Sequence, residues 1–430
     1  MYLPLVHLLQ LPLSPSNPNV LHGQSEDYKN LATVSPYHDA PNVPGVSVNL
    51  PDDCTVDQVI MLHRHGSRGP VSEQNFILGL VETLHNARDI IRSTPLPPNL
   101  QFLKQGYEYQ LVPQELTIVG RRELFDHGVD FALRYPNLST DVVVSSPIQR
   151  VMDSSYFFAQ GFFGLKTENI TFRTVTDLDD PVSWITPWKS CPKFSTHQPH
   201  QAASQWAAKY VPPIAQKLGR LVPGINISVN DTRGALYACP FDLATRNQSP
   251  WCNVFSTREL QNLEYEYDLL MDGVSGHASR GDIGPLLGAF YVKKLIERLT
   301  NGTRDAEPLY LEFGHDTSIL LPLSTMGLNK DSLPLNPDRV PVHRVFRTSQ
   351  QTPFAASMVW ERFTCKKSFE GPQVRLVLNG ATFPLFICAK SKADKRYGTC
   401  SLDEFARANE YSTHVHYKDE SWNTACDIDG

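Results

Sequence analysis

The stretch VDQVIMLHRHGSRGP, residues 56–70, is the part of the sequence that decides which fold we expect. It begins with a short and mostly apolar run, which has the length and composition of one strand buried inside a sheet. The run stops abruptly at Arg64 and His65, and another polar side chain, Arg68, follows soon after. The pattern predicts a buried strand whose carboxyl end carries two arginines and a histidine.

Two later segments repeat this arrangement of an apolar strand followed at once by polar side chains. Residues 141–146 (DVVVSS) form a β-branched run with Arg150 just beyond it, and residues 309–313 (LYLEF) precede His315 and Asp316. In an open, mostly parallel α/β sheet, ligands bind in the crevice at the carboxyl ends of the strands. We therefore expect one cleft, formed by the side chains that follow the three strands: Arg64, His65, Arg68, Arg150, His315 and Asp316.

Segments with helical spacing of apolar residues, or with a helix start signal, lie between the predicted strands. They cover residues 74–92, 117–135, 150–158 and 285–299. Strands that alternate with helices indicate an α/β fold, with a mostly parallel sheet flanked by helices. Near the C-terminus, Asn379 and Gly380 lie between two alternating runs, which predicts a β-hairpin.

Changes in composition divide the chain into three parts. Residues 1–50 hold many Pro, Asn and Ser residues and little periodicity, which indicates a tail or a wrapping arm. Residues 51–175 and 285–430 carry the predicted strands, and we expect them to form the α/β domain that holds the cleft. Residues 176–284 contain scattered helical stretches and many loops, which indicates an inserted, smaller and mostly helical subdomain.

Charge and hydropathy argue against two classes of partner. The 430 residues carry a net charge of -6 with a pI near 6.2, so we expect no nucleic-acid partner. No run approaches the roughly 18 consecutive apolar residues of a membrane span, so we expect no membrane partner either. Residues 1–13 are apolar, but they are broken by Pro4 and Pro12 and lack a basic start, so we do not assign a signal peptide.

The eight cysteines and the glycosylation sequons indicate an oxidising compartment. None of the cysteines forms a Cys-x-x-Cys pair, so zinc ribbons and thioredoxin-type redox sites have no support, whereas an even number suits four disulfides. The spacing alone does not choose among the many pairings that eight cysteines allow. These features predict a secreted, extracellular glycoprotein. The sequons start at Asn137, Asn169, Asn226, Asn230, Asn247 and Asn301.

The side chains expected in the cleft suit the transfer of a phosphoryl group. Guanidinium groups match phosphate oxygens in a bidentate manner, so the three arginines would hold the ground state and the transition state. A neutral imidazole nitrogen at His65 can attack phosphorus and form a phosphohistidine. Asp316, when protonated, would give the leaving oxygen a proton, and His315 would supply one more phosphate donor.

These residues carry a resemblance to a known family. The motif Arg-His-Gly-Ser-Arg-Gly-Pro at residues 64–70, with a distant His315-Asp316, resembles the histidine acid phosphatase family, above all its secreted fungal-type branch with the phytases. The resemblance extends from about residue 35 to about residue 427. Further similar segments are Cys54–Val59, Leu116–Gly120, Ser146–Val151, Val374–Asn379 and Gly398–Phe405.

The resemblance implies a phosphoglycerate-mutase-like α/β fold and a phosphatase that acts on small-molecule phosphate monoesters at acidic pH, with phytate as one candidate. It implies that His65 is the nucleophile and Asp316 the proton donor, and that no metal or other cofactor is needed. The implied phosphate-binding residues are Arg64, Arg68, Arg150 and His315. The implied disulfides are Cys54–Cys365, Cys191–Cys426, Cys239–Cys252 and Cys388–Cys400.

Three positions depart from the family pattern. Gly69 stands where an aromatic residue is usual, Val71 stands where threonine is usual, and His63 is an unusual residue before the motif. The changes leave the reacting groups intact, but they leave the preferred substrate open. We expect His63 to be a pocket-wall or packing residue rather than a metal ligand, whereas His197 and His200 lie in a loop-like stretch that could face the cleft.

Two other functions fit part of these observations. A mutase-like phosphotransferase would share the Arg-His-Gly nucleophile, but the predicted secretion and disulfides argue against it, because a mutase acts on cytosolic metabolites. A catalytically weak or silent secreted glycoprotein that binds phosphate ligands would share the fold. Gly69 keeps this alternative open, although all the reacting groups are present. The sequence does not predict the oligomeric state.

Overall fold

Within the described residues, eight strands form one mixed sheet at the centre of the protein. The structure, a computed structural model, describes residues 26–109, 113–194, 201–301 and 307–426. Residues 1–13, His197 and His200, for which the sequence raised expectations, lie outside the described residues. The strands are β1 Cys54–Arg64, β2 Val142–Ser145, β3 Thr171–Thr174, β4 Leu309–Gly314, β5 Ser357–Cys365, β6 Gln373–Leu378, β7 Ala381–Phe383 and β8 Thr399–Ser401.

The sheet is parallel on one side and antiparallel on the other. Its strand order is β3-β2-β4-β1-β5-β6-β7, and β8 pairs with β6. Neighbouring strands from β3 to β1 are parallel, whereas β5 to β8 pair in antiparallel fashion. The α/β fold is confirmed, but "mostly parallel" describes only the half with the polar strand ends, because the C-terminal segment folds back as antiparallel strands. The predicted hairpin joins β6 to β7 through Asn379 and Gly380, whose φ angles of 46° and 79° suit a tight turn.

Helices lie on both faces of the sheet. The helix predicted over residues 74–92 is divided in two at Ala87, where the backbone leaves helical angles, and the other predicted helices occur close to their expected positions. The helices are α1 Gln74–Asn86, α2 Arg88–Ser93, α3 Ile118–Arg134, α4 Gln149–Phe163, α5 Gln201–Leu221, α6 Val229–Arg246, α7 Thr257–Ser275, α8 Ile283–Thr300, α9 Asp316–Thr325, α10 Thr348–Gln351, α11 Lys392–Tyr397, α12 Leu402–Ala408, α13 Glu410–His414 and α14 Glu420–Cys426.

Alternate residues of β1 face the two helical layers that cover the sheet. Val59 and Met61 pack with side chains of α3 and α4 on one face. Ile60 and Leu62 pack with side chains of α8 and α9 on the other. Each fully buried apolar side chain of this size stabilises the fold by about 1.5–3 kcal/mol. This burial on both faces fixes β1 in the middle of the sheet, and with it the position of the polar residues at its end.

The regular elements in the described part of residues 176–284 are helices. Helices α5, α6 and α7 pack with α1, and with Leu31 and Phe354, into one apolar core. Because α1 belongs to the segment that we assigned to the α/β domain, the helical part of the molecule is built from more than residues 176–284.

Residues 26–50 form an arm that packs against the rest of the chain. Ala32 and Val34 are buried, and the backbone N–H of Phe354 donates to the carbonyl oxygen of Ser35 at 3.0 Å. The described half of the N-terminal segment is therefore packed against the rest of the chain.

The cysteines lie in four disulfides, and the pairing is the one that the family resemblance implies. Among the sequon asparagines, Asn247 is half-buried and the others are exposed. Of the helices in the described ranges, none is long and apolar enough to cross a membrane. The disulfides are Cys54–Cys365, Cys191–Cys426, Cys239–Cys252 and Cys388–Cys400.

Candidate active site

Parallel pairing brings three strand ends to one edge of the sheet. In the register of β1 and β4, Arg64 pairs with Gly314, and the backbone N–H of His65 donates to the Gly314 carbonyl oxygen at 3.1 Å. Strand β2 lies on the other side of β4, and the N–H of Ser146 donates to the Phe313 carbonyl oxygen at 3.0 Å. The polar residues that follow β1, β2 and β4 therefore meet at the edge where open α/β sheets bind ligands.

His65 is almost fully buried, with 2% of its surface exposed. Its Nδ1 lies 2.9 Å from the carbonyl oxygen of Gly66. Because a carbonyl oxygen can only accept, Nδ1 carries the proton and Nε2 keeps its lone pair. Burial lowers the pKa of His65 well below its usual value, and the nearby arginines and His315 lower it further. The imidazole is therefore neutral, in the tautomer whose Nε2 can act as a nucleophile.

Gly66 allows the turn after β1 to approach α3 closely. A Cβ atom at this position would lie 2.5 Å from both the carbonyl oxygen of Gly120 and Cδ2 of Leu124. The N–H of Gly66 donates to Ser154 Oγ at 3.2 Å, and that hydroxyl donates to the carbonyl oxygen of Arg150 at 2.7 Å. The turn is therefore packed against α3 and bonded to the start of α4.

Arg64 is fully buried and is held by parts of the chain that are remote in sequence. Its Nη1 donates to the carbonyl oxygens of Thr33 and Thr352, the second at 2.7 Å. Its Nη2 donates to Asp316 Oδ2 at 2.9 Å. Its guanidinium carbon lies 4.8 Å from the centre of the Phe354 ring. The N-terminal arm, the start of α9 and the segment after α10 together fix this guanidinium.

Arg68 and Arg150 keep part of their donor capacity. Within the described ranges, the Nε of each is buried without a hydrogen-bond partner. Burial, together with repulsion from Arg68, lowers the pKa of Arg150 to about 10. Burial lowers the pKa of Arg64 to about 10 as well, although Asp316 opposes the effect. Arginines that repel each other at close range and retain free donors form a site suited to a phosphate group.

Asp316 has donors on both of its carboxyl oxygens. Oδ2 accepts from Thr33 Oγ1 at 2.8 Å as well as from Arg64, and Oδ1 accepts from the N–H and the Oγ1 of Thr317 at 2.8 and 3.1 Å. Burial alone would raise the pKa of Asp316, but Arg64 and the Thr33 hydroxyl outweigh it and hold the pKa well below its usual value. The carboxyl group is therefore ionised in this state of the protein.

His315 lies beside His65, with ring centroids 5.6 Å apart in an edge-on arrangement. Trp188 contacts it as well, at 5.8 Å between centroids. Burial, followed by the charge of Arg150, lowers the pKa of His315 to about 3, so this ring is neutral above that pH. Its Nδ1 is buried and bonded to none of the described groups. The ring therefore has a buried nitrogen available to a ligand.

Glu123 of α3 supports the site, and the sequence analysis did not predict it. Its Oε2 accepts from the backbone N–H of Ser67 at 2.7 Å, and its Oε1 accepts from the hydroxyl of the same residue at 2.9 Å. Burial raises the pKa of Glu123, although the bonds from Ser67 oppose this. The only sequence signal is its place three residues after Gly120, on the helix face that meets the motif.

The structure brings the six residues of the predicted cleft to the same edge of the sheet. His63 lies in the core between β1 and α3, where its ring contacts that of His127, and the exposed Val71 lies beyond the motif. The described residues contain no group of three or more His, Cys, Asp or Glu side chains that could hold a metal ion. Sequence reasoning missed Thr33 and Thr352, because their carbonyl oxygens bind Arg64 and any residue type supplies a carbonyl.

Comparisons with known proteins agree with this geometry. The family model described as "Histidine phosphatase superfamily (branch 2)" matches residues 55–379. Phytase A of Arthroderma benhamiae is 29% identical over 416 residues, which cover 88% of each chain. A thiamine-repressible acid phosphatase of Schizosaccharomyces pombe is 29% identical over 424 residues, which cover 92% of this chain and 90% of that protein.

A solved structure supports the fold independently of these sequences. The crystal structure of the phytase from D. castellii matches with a TM-score of 0.79 over 96% of this chain and 90% of that one, at 22% identity. The family resemblance seen in residues 64–70 and 315–316 is therefore confirmed. Since the family model spans most of the chain, and the relatives are phytases and acid phosphatases, the protein belongs to branch 2 of the histidine phosphatase superfamily and is a phosphoric monoester hydrolase.

Proposed function

We propose that the protein is a secreted acid phosphatase that hydrolyses phosphate monoesters through a phosphohistidine on His65, with Asp316 as proton donor. Phytate is one candidate substrate. The observation that carries the proposal is the tautomer of His65: Nδ1 is bonded to Gly66, so the lone pair is on Nε2. Phosphate monoesters are so stable in water that the site must lower the barrier by on the order of 20 kcal/mol. Positioning and electrostatic stabilisation have to supply most of this.

In the first step, Nε2 of His65 forms a bond to phosphorus while the bond from phosphorus to the ester oxygen breaks. The phosphoryl group keeps its three other oxygens, whose charge the arginines would stabilise. The leaving oxygen takes a proton from Asp316 and departs as an alcohol or phenol. The predicted phosphate-binding residues in this step are Arg64, Arg68, Arg150 and His315.

Asp316 is ionised before substrate binds, so its proton must arrive with the substrate. A phosphate monoester loses its second proton near pH 6, and below this pH it binds as a monoanion that carries one proton. The negative charge of the bound ester competes for Arg64, which is the cation closest to Asp316. Both effects favour transfer of the proton to Asp316 or directly to the leaving oxygen, and they favour activity at acidic pH.

In the second step, water replaces His65 on phosphorus. The oxygen of water forms a bond to phosphorus, the bond from phosphorus to Nε2 breaks, and Asp316, now a carboxylate, accepts the proton from water. Inorganic phosphate then leaves, and His65 returns to its neutral form. The same side chain acts as acid in the first step and as base in the second.

Secretion has separate support. Four disulfides suit an oxidising compartment, and most sequon asparagines are exposed. We expect the protein from a secretory host to carry N-linked glycans, except at the half-buried Asn247. Peptide mass spectrometry after enzymatic deglycosylation checks this. Free thiols together with unmodified asparagines in protein from such a host would contradict the assignment.

Rapid-quench labelling tests the mechanism. Mixed with a ³²P-labelled phosphoester near pH 5, the protein should trap acid-labile, base-stable label on His65, and His65→Ala should trap none. Turnover of p-nitrophenyl phosphate no faster than that of His65→Ala would favour a silent phosphate-binding protein. Transfer of the label to an alcohol acceptor in place of water would favour a mutase-like phosphotransferase.

A further inference from the structure

Two histidines outside the group of reacting residues form a pair directly behind the nucleophile. His63 of β1 has 1% of its surface exposed, and its Nε2 lies 3.0 Å from Nδ1 of His127 on α3. Its other ring nitrogen, Nδ1, lies 2.6 Å from the carbonyl oxygen of Arg64. His63 is also one of the departures from the family pattern, and none of the steps above uses it.

The hydrogen bonds determine where the protons of the pair are. The carbonyl oxygen of Arg64 can only accept, so Nδ1 of His63 carries a proton. In neutral His63, Nε2 then has a lone pair, and it accepts the proton on Nδ1 of His127. The result is a directed chain in which His127 donates to His63 and His63 donates to the backbone.

The acceptor of the hydrogen bond from His63 Nδ1 belongs to the peptide group that joins Arg64 to His65. Its carbonyl oxygen is held by His63, and its N–H donates to the carbonyl oxygen of Gly314 at 3.1 Å. The peptide plane that carries His65 is therefore fixed from both sides, by β4 through one bond and by His63 through the other. Reactions between bound groups are sensitive to errors of about 1 Å in position, so this plane matters for the approach of Nε2 to phosphorus.

We propose that His63 and His127 are a positioning pair that aligns His65 as long as both histidines of the pair are uncharged. Protonation of the pair then sets the lowest pH at which the enzyme is active. The inference rests on the proposed function, because it assigns the pair a task only if His65 is the nucleophile. His63 and His127 touch no reacting group, so both act through the backbone of β1.

The surroundings of the pair oppose a positive charge on His63. Its ring packs against Phe158 and Phe313, with ring centroids 5.6 Å away in each case. Burial lowers the pKa of His63 to about 4, although its bond to Arg64 opposes this. Burial and the neighbouring His63 also lower the pKa of His127 well below its usual value. The pair therefore stays neutral over the mildly acidic range in which the enzyme is proposed to act.

A cavity of about 180 Å³ beside the pair brings other titratable groups close to it. The groups from the N-terminal arm are Tyr37, whose ring centroid is 4.1 Å from that of His127, and Asp39. The groups from α3 and its end are Asp130, Arg134 and Tyr135.

These neighbours stabilise a positive charge on the pair less as the pH falls. Burial, and then the charges of Asp126 and Asp39, raise the pKa of Asp130, so this carboxylate is lost early during acidification. Arg134 remains positive and pairs with Glu361 at 3.1 Å. The raised pKa of Asp130 means that this carboxylate offers less compensation for a protonated histidine as the pH falls.

Two substitutions at position 63 separate positioning from packing. His63→Phe keeps a ring in the core but removes the donor to Arg64, and we expect kcat to fall about tenfold, as for one lost hydrogen bond, with KM changed less than twofold. His63→Asn keeps an N–H near the place of Nδ1 but cannot be protonated. It should restore kcat to within about threefold of wild type, and its kcat should persist about one pH unit further into acid.

Unchanged kcat in His63→Phe, or an acid limb that is the same in His63→Asn and wild type, would overturn the proposal. If both variants fail to fold, NMR of ¹⁵N-histidine in the wild-type protein decides the matter. We expect neutral His63 and His127 at pH 5.5, each with its proton on Nδ1, and a protonated His63 at that pH would refute the pair. His65→Ala, measured in parallel, keeps the two ideas apart, because activity in that variant overturns the proposed function itself.

Discussion

Replacing Asp316 with asparagine should distinguish its role as a proton donor from its role as the partner of Arg64. Loss of a general acid slows a reaction by about 10²–10⁴-fold, but only where the leaving oxygen needs a proton. An alkyl phosphate has such an oxygen, whereas p-nitrophenolate leaves readily without one. We therefore expect a decrease of about 10³-fold in kcat/KM on glycerol phosphate, and one of about tenfold or less on p-nitrophenyl phosphate, because kcat/KM reports only the steps up to departure of the alcohol.

The substitution also disturbs the site in a way that is common to both esters. The oxygens of Asp316 accept from Arg64, Thr33 and Thr317, and the asparagine NH₂ must point at some of these donors. Hydrogen bonds to a charged group are worth about 1.5–3 kcal/mol each. Since Arg64 keeps its two carbonyl partners, the free energy of unfolding should fall by only about 1.5–3 kcal/mol, less than for a buried charge left without partners. The disturbance of the phosphate site affects both esters alike and cancels in the ratio of their kcat/KM values, so the ratio isolates proton transfer.

The assay is steady-state hydrolysis of both esters at pH 5. Thr33→Val is the matched control, because it removes the hydroxyl 2.8 Å from Asp316 Oδ2 while the carboxyl group remains. It should slow both esters by the same small factor. If Asp316→Asn also lowered kcat/KM equally for both esters, Asp316 would not be the acid.

Three further predictions concern residues near His65. Gly66→Ala should lower the free energy of unfolding by about 1–3 kcal/mol, because its Cβ would lie 2.5 Å from the Gly120 carbonyl oxygen, and an unchanged melting temperature would contradict this. Glu123→Gln should lower kcat about tenfold with little change in KM, because the bond that orients the Ser67 amide loses its charge, and steady-state kinetics equal to wild type would exclude that role. The pKa of His315 is lowered to about 3 in the folded protein, so the unfolded chain takes up this proton first as the pH falls. Stability should therefore decrease from about pH 6.5 towards pH 3, and His315→Gln should lose part of that decrease in urea titrations. An identical decrease in both proteins would rule out this linkage.

The fold and the meeting of the six polar residues were predictable because apolar periodicity and parallel pairing are local signals. The run from Val56 to Leu62 has to be a buried strand, and the carboxyl ends of neighbouring parallel strands meet at one edge whatever the loops between them do. The antiparallel half was only partly predictable. The Asn379-Gly380 turn predicts one hairpin. The sequence of β5, however, does not indicate that this strand pairs with β1 in antiparallel fashion.

The supports of the site were not predictable, because they depend on contacts between distant segments. Thr33 and Thr352 bind Arg64 through backbone carbonyl oxygens, which every residue type has, so their residue types do not indicate this role. Glu123 looks like any charged helix residue until α3 is placed against the motif. His63 stood out as unusual, but its partner His127 lies on a different element, so sequence spacing could not pair them.

The attachment of Arg64 has a consequence for when the enzyme can work. Its acceptors come from residues 33, 316 and 352, so the guanidinium is fixed only after the chain has been made beyond residue 352 and the N-terminal arm has docked. A partly synthesised chain would carry the motif of residues 64–70 without a working cleft. Activity should therefore appear only in fully folded protein. A protease cut or a fusion that releases the arm should stop turnover even though the rest of the protein stays folded.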